Sequence, residues 1–373
     1  MNTPELREAC AQALLAAESR ARTLRVFAGF DGFVDEILHA VDKRQDATHF
    51  DRVPTIAKFA ERIAAAAGRS TNVELVNVKT KLGGNGPILA NALASFGLKV
   101  TYLGALGYPT LHPVFASFAQ RAEVISIADP GHTDAFEFED GKLLMGKLMT
   151  LNEVNWENIQ SRYSRAQFAD KFGSSELICF ANWTMLPCMS DIWESVQSEL
   201  CGTLAGPKRQ MFFDLADPEK RTPTDIARAL DLIAKFEKHF DVILGLNEKE
   251  SGELSIVLGI PVRPRTPEGQ SEAAVEIRKR VPVSSVVIHP VKYALAVGAA
   301  GVSLVEGPFV AKPMITTGAG DHFNAGFCLG KMLGLDNAMS VLTGVATSGF
   351  YVRTARSPGV AELAAMMRDW PAE

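Results

Sequence analysis

Between Ile315 and Phe327 the chain reads ITTGAGDHFNAGF. Thr316, Thr317, Gly318, Ala319 and Gly320 lead into an apolar-periodic segment starting near His322, so a tight turn should open a helix there. Glycines at such a turn let backbone N–H groups converge, and the positive end of the following helix adds to them. The result suits an anion, above all the charge that develops when a phosphoryl group moves. An acid in that place would repel a resting phosphate. Asp321 makes sense there as a base that accepts the proton of an attacking hydroxyl. It makes equal sense as a cap behind a glycine turn, and the segment alone leaves both readings open.

Three further segments carry suitable groups. GGNGPILANALASFG (83–97) puts Gly83 and Gly84 before a helical pattern that ends at Gly97. The glycines let backbone pass close to a ligand, and Asn85 offers donors and acceptors to hydroxyls. Asn247-Glu248-Lys249-Glu250 follows an apolar run; Asn247 and Glu250 are oxygen ligands of the kind a hard cation takes, and they also spell a helix cap with an early glutamate. AGFDGFVDEI (28–37) holds Asp31 and Asp35, carboxylates that can each accept two hydroxyls.

Taken together and in this order, the four segments resemble the ribokinase-like (PfkB) carbohydrate kinase family. T-x-G-A-G-D-x-F-x-A-G-F is similar to its second signature, and the diglycine with its helix is similar to its first. The resemblance covers roughly residues 24–358. It implies ATP-dependent transfer of the γ-phosphate to a hydroxyl of a small sugar or polyol, with Asp321 as base and Gly318, Ala319 and Gly320 as an anion hole. It implies that Asn247, Glu250 and Thr317 serve the nucleotide phosphates, and that Asn247 and Glu250 help hold Mg2+ through water. Gly83, Gly84, Asn85 and the acids fall on the sugar side, with Asp35 ahead of Asp31.

The alternatives on the same scaffold are a nucleoside kinase, with Phe33, Phe136 and Phe138 as a platform, and a sugar-phosphate kinase using Lys79, Lys81 or Arg353. A non-catalytic sugar sensor is the alternative of another class. Ile315 stands where the family often has an aspartate that helps bind a monovalent cation, so potassium activation is not expected. His289-Pro290 replaces a common threonine-glycine pair near the nucleotide.

Positioning such groups needs a frame. Apolar runs at 24–29, 99–103, 176–181, 210–215, 241–246 and 285–289 alternate with helical patterns at 88–96, 189–204 and 224–240. That predicts an α/β fold with a mostly parallel central sheet and helices on both faces. Asn182-Trp183 follows one of those runs, at a strand's carboxyl end where ligands gather; the asparagine is a further substrate-side candidate. Residues 133–150 alternate around Asp140-Gly141, a hairpin signal. With segments near 32–38 and 72–82 they should form a small β-lid. The domain reading is an N-terminal helical extension over 1–23 and the kinase domain over 24–373.

Composition sets the outer bounds. The 373 residues are 47% hydrophobic and 22% charged, with a formal net charge of −5. That gives no footprint for nucleic acid or an anionic membrane. The five cysteines form no C-x-x-C pair and are odd in number, which argues against a disulfide framework or a zinc site. With no apolar stretch of membrane length or signal type, a cytoplasmic enzyme is expected. A small-molecule substrate is the expected partner, and a homodimer through the lid is left open.

Overall fold

The computed structural model describes residues 2–371; positions 1, 372 and 373 of the expected ranges lie outside the described residues. The six apolar runs become strands β1 (Arg25–Phe30), β5 (Lys99–Ala105), β9 (Leu177–Phe180), β10 (Arg209–Asp214), β11 (Phe240–Leu246) and β12 (Ser285–Ile288). A further strand, β6 (Glu123–Ala128), not among the runs, joins them, and all are parallel to their neighbours where paired among themselves. Two antiparallel strands, β13 (Tyr293–Gly298) and β14 (Gly301–Glu306), complete a nine-stranded sheet in the order β14-β13-β12-β11-β10-β9-β1-β5-β6.

Near-continuous apolar strands are what a sheet covered on both faces requires. Side-chain alternation sends Phe27 of β1 into one core with Phe168, Phe180, Trp193 and Phe213, and Phe30, at the strand's end where the alternation breaks, joins it. Val26 and Ala28 go into the opposite core with Leu89, Phe323 and Val345. The first helix, Pro4–Ala16, is capped by Thr3 and packs Cys10, Ala11 and Leu14 into that second core.

A second sheet is built from β2 (Phe33–Arg44), β3 (Phe50–Arg52), β4 (Leu75–Gly83), β7 (Gly131–Glu137) and β8 (Lys142–Lys147). It has its own small interior of Leu38, Ala40, Val53, Phe59, Phe136 and Phe138. This is the lid. The hairpin closes where Phe138 N–H donates to the Gly141 carbonyl. Its second strand stops at Lys147, and Met149–Glu153 turns as a 3-10 helix. Among the described residues no helix is long and apolar enough to cross a membrane, and the five cysteines are free.

Candidate active site

All candidate groups fall at one edge of the large sheet, beyond the carboxyl ends of β1, β9, β10, β11 and β12. The chain runs β1, β5, β6 in one direction and then places β9 on the other side of β1. That switch point is where an open α/β sheet forms its crevice. Asp31 follows β1 and Asn182 follows β9, and the Asn182 Nδ2 donates to Asp31 Oδ2 at 2.7 Å.

Asp31 is fully buried. Its Oδ1 accepts the Gly86 N–H at 2.9 Å and the Tyr102 hydroxyl at 3.2 Å. It thereby caps the helix Asn85–Ser95, whose N-cap Gly84 has φ 97° and no side chain to do so. A Cβ at Gly84 would come within 2.7 Å of Asp31 Oδ2, so only glycine fits. Burial pushes Asp31 up to about 6 against the pull of those hydrogen bonds. Asp35 is less committed. Lys81, its cross-strand partner, lies 3.9 Å away, and burial raises its carboxyl despite that charge. A Cβ on Gly83 would overlap the Asp35 carboxylate at 2.3 Å. Asn182 adopts φ 60°, and its buried Oδ1 has no protein partner. An acceptor left open beside a buried acid is suited to a hydroxyl.

The helix Ala319–Met332 starts behind Gly318, at φ 90° and again without a side-chain cap. Asp321 therefore sits inside the first turn and does not cap the helix. Its Oδ1 accepts from Asn85 Nδ2 at 3.0 Å, which joins the two glycine turns. Burial raises its carboxyl to about 8, and the nearby Asp31 and Glu250 charges add to the rise while Asn85 opposes it. A base tuned toward neutrality is what proton abstraction from an alcohol favours. The Ala319 N–H turns back onto the Thr316 carbonyl at 3.1 Å, so Gly318 and Gly320 are the better placed anion donors.

Asn247 and Glu250 make the capping box that their spacing allows. The Glu250 oxygens accept from the Asn247 and Asp217 N–H groups at 2.8 and 2.9 Å. Glu250 also does more than cap. With Asp214, at the end of β10, it forms a buried acid pair, and burial followed by mutual repulsion holds Asp214 well above the usual carboxylate range. Asn324 donates to Asp214 Oδ2 at 2.9 Å and keeps a buried, unpartnered Oδ1. Oxygen donors with unspent charge fit a hydrated Mg2+, which keeps several waters. Among the described residues no three acids, histidines or cysteines are grouped as a full metal-ligand set, which accords with an ion that keeps most of its water. Asp214 was not singled out in the sequence, although an acid closing the apolar run MFFD was a signal.

Beside the anion turn lies a cavity of about 380 Å³ bordered by Asn247, His289, Phe309, Thr316, Gly320 and Val352, among others. Its size and apolar lining suit a nucleotide base. His289 packs on Phe323 and beneath Gly320. Burial pushes it down to about 4, so it stays neutral. Arg353 is not free to meet a sugar phosphate. It donates to the carbonyls of Pro308, Phe309 and Gly349 and props that cavity's wall. Phe33 lies in the main core, and Phe136 and Phe138 are spent inside the lid; no purine platform is left from these three. Trp183 is buried, with its Nε1 on Ser190.

A nine-stranded α/β sheet with a small lid sheet, a cavity of nucleotide size and a buried acid behind a glycine turn fit an ATP-dependent carbohydrate kinase of the ribokinase-like (PfkB) type. The model of the prokaryotic ketohexokinase family matches residues 2–370, and the chain belongs to that family. Ketohexokinase of Haloferax volcanii is 32% identical over 343 residues, covering 91% of this chain and 90% of that protein. Solved structures share the fold at low identity. Arabidopsis thaliana ribokinase, complexed with ribose and ATP, superposes with a TM-score of 0.64 at 16% identity over 93% of this chain and 98% of that one. Escherichia coli phosphofructokinase-2, in complex with substrates and products, gives 0.63 at 14% over 93% and 99%.

Proposed function

We propose that this chain phosphorylates a ketohexose, with Asp321 as the base. The observation that carries the reading is Asp321 itself: a buried carboxylate raised to about 8 in the first turn of a glycine-opened helix, tied by Asn85 to the substrate-side turn. The ketohexose comes from the relative's name and from a cleft built for hydroxyls, with Asp31, Asp35, Asn85 and Asn182 around it.

In the proposed reaction Asp35 and Asn182 orient the sugar so that one hydroxyl faces Asp321. As that oxygen bonds to the γ-phosphorus, its proton passes to Asp321. The bond from the γ-phosphorus to the bridging oxygen breaks and ADP leaves with the electron pair. The Gly318 and Gly320 N–H groups meet the charge on the transferring group. Mg2+, held through water by Asn247, Glu250 and Asp214, would neutralise phosphate charge. The lid excludes water, which limits ATP hydrolysis.

A coupled assay with MgATP against fructose, other ketohexoses, aldohexoses, ribose, adenosine and fructose 6-phosphate tests this. Ketohexoses should give the highest kcat/KM. A nucleoside, a sugar phosphate or an aldose turned over better would overturn the substrate assignment.

A further inference from the structure

The anion-binding turn has no capping side chain of its own, and Gly318 at its apex has the widest backbone freedom of any residue. Something outside the turn must hold it. Two side chains do. The Tyr351 hydroxyl donates to the Thr317 carbonyl at 2.9 Å, and His322 Nδ1 lies 2.7 Å from the Gly318 carbonyl. The two rings stack at 3.6 Å between centroids with 13° between planes.

The chemistry of the partners fixes the proton positions. A carbonyl only accepts, so Nδ1 carries the imidazole proton. Nε2 is then the acceptor for the Ser357 hydroxyl at 2.8 Å. Burial keeps the ring neutral, pushing it down to about 4. In a trans peptide the C=O of one residue and the N–H of the next lie in one plane and point in opposite directions within it. A donor that fixes the Thr317 carbonyl therefore also aims the Gly318 N–H, and it polarises that group. The Gly318 carbonyl is taken by both the His322 amide at 3.0 Å and the ring; the next plane, whose Ala319 N–H is spent on the Thr316 carbonyl, is thereby fixed and braces Gly318 from its other side.

We propose that Tyr351, His322 and Ser357 are positioning residues for phosphoryl transfer, a side-chain clamp that aims the anion hole from behind. None of the three borders the nucleotide-sized cavity. Tyr351 comes from the helix Asn337–Thr354 and Ser357 from just beyond its end, where Ala355 turns at φ 53°. The clamp therefore makes the turn depend on a segment more than thirty residues further along the chain. It rests on the reading of the 318–320 turn given above.

The test is steady-state kinetics and melting temperature for Tyr351→Phe, His322→Phe and His322→Asn, with rates taken per folded enzyme. Misaiming a donor should cost less than deleting one, so Tyr351→Phe and His322→Phe should each lower kcat about ten- to a hundredfold. KM for sugar and ATP should stay within about threefold. His322→Asn, whose amide can stand in for Nδ1, should recover most of kcat. Unchanged kcat in both phenylalanine variants, or a loss confined to KM, overturns the clamp. So does a lower melting temperature with normal kcat, which would leave these side chains a purely structural role. If His322→Phe does not fold, Tyr351→Phe decides alone, since it removes a single oxygen. Asp321→Asn run alongside separates the two readings. Retained turnover there removes the catalytic turn itself, whereas an inactive Asp321→Asn beside fully active clamp variants removes only the clamp.

Discussion

Asn85 and Asp321, 236 positions apart, meet in a hydrogen bond of 3.0 Å from Nδ2 to Oδ1. Each stands in the first turn of a helix that begins behind a left-handed glycine. The two helix starts thus face one another with a carboxylate between them. A shift of either turn would move the base and the substrate-side amide together.

Asp321→Asn should fold, bind both substrates and lose about two to four orders of magnitude in kcat, the usual scale of a lost general base. The amide keeps an oxygen for Asn85 but cannot take a proton. Turnover within a few-fold of wild type would remove Asp321 from the mechanism.

The pH dependence follows from the same group. Its active form is the carboxylate, and its carboxyl is raised to about 8; kcat/KM should therefore climb with pH and level off above about 8. The stability sign is opposite. A folded value above the ordinary 3.8 means stability is full below about 4 and is lost as pH rises through about 8. Asp321→Asn escapes that loss, so its advantage in melting temperature over wild type should grow across this window. Calorimetry of both proteins at pH 5 and pH 8 reads it, and an advantage that shrank with pH would contradict the buried-carboxylate account.

Asp35→Ala should weaken sugar binding far more than ATP binding. Asp35 sits on the lid side of the cleft with only Lys81 as a near charge, while the nucleotide cavity is bordered by other elements. Titration calorimetry with each ligand in turn decides it; equal weakening of both would sink the assignment.

Monovalent cations should matter little. Ile315 brings no oxygen to the turn, and the Thr317 carbonyl already takes the Tyr351 hydroxyl. Initial rates at fixed ionic strength in potassium, sodium or tetramethylammonium should agree closely. A rate several-fold higher in potassium alone would show a site rebuilt from other ligands.

Six of the parallel strands were legible because burial on both faces writes them as apolar runs, as at 178–180 or 242–246; β6 was missed because, at the sheet edge, it is only half-buried. The β13–β14 hairpin was not. Its turn is Ala299-Ala300 between glycines, which carries no hairpin dipeptide, and β14 is largely exposed at the sheet edge. The glycine turns and Asp321 announce themselves by spacing. His322, Tyr351 and Ser357 do not, since the contacts His322–Ser357 and Tyr351–Thr317 are created only when the helices 319–332 and 337–354 pack. The capping box at Asn247 and Glu250 was legible as a cap, but the coupling of Glu250 to Asp214 needed β10 and β11 to lie side by side.

Phe33, Gly83 and Gly131 share one row of the small sheet, at its border with the main body. Asp31 is anchored two residues before that border and Asp35 two residues beyond it, on a plate with an apolar interior of its own. The proposed sugar site therefore spans the seam: a ligand meeting Asp35 and the groups around Asp31 would touch the main body and the small sheet at once, within four residues of chain.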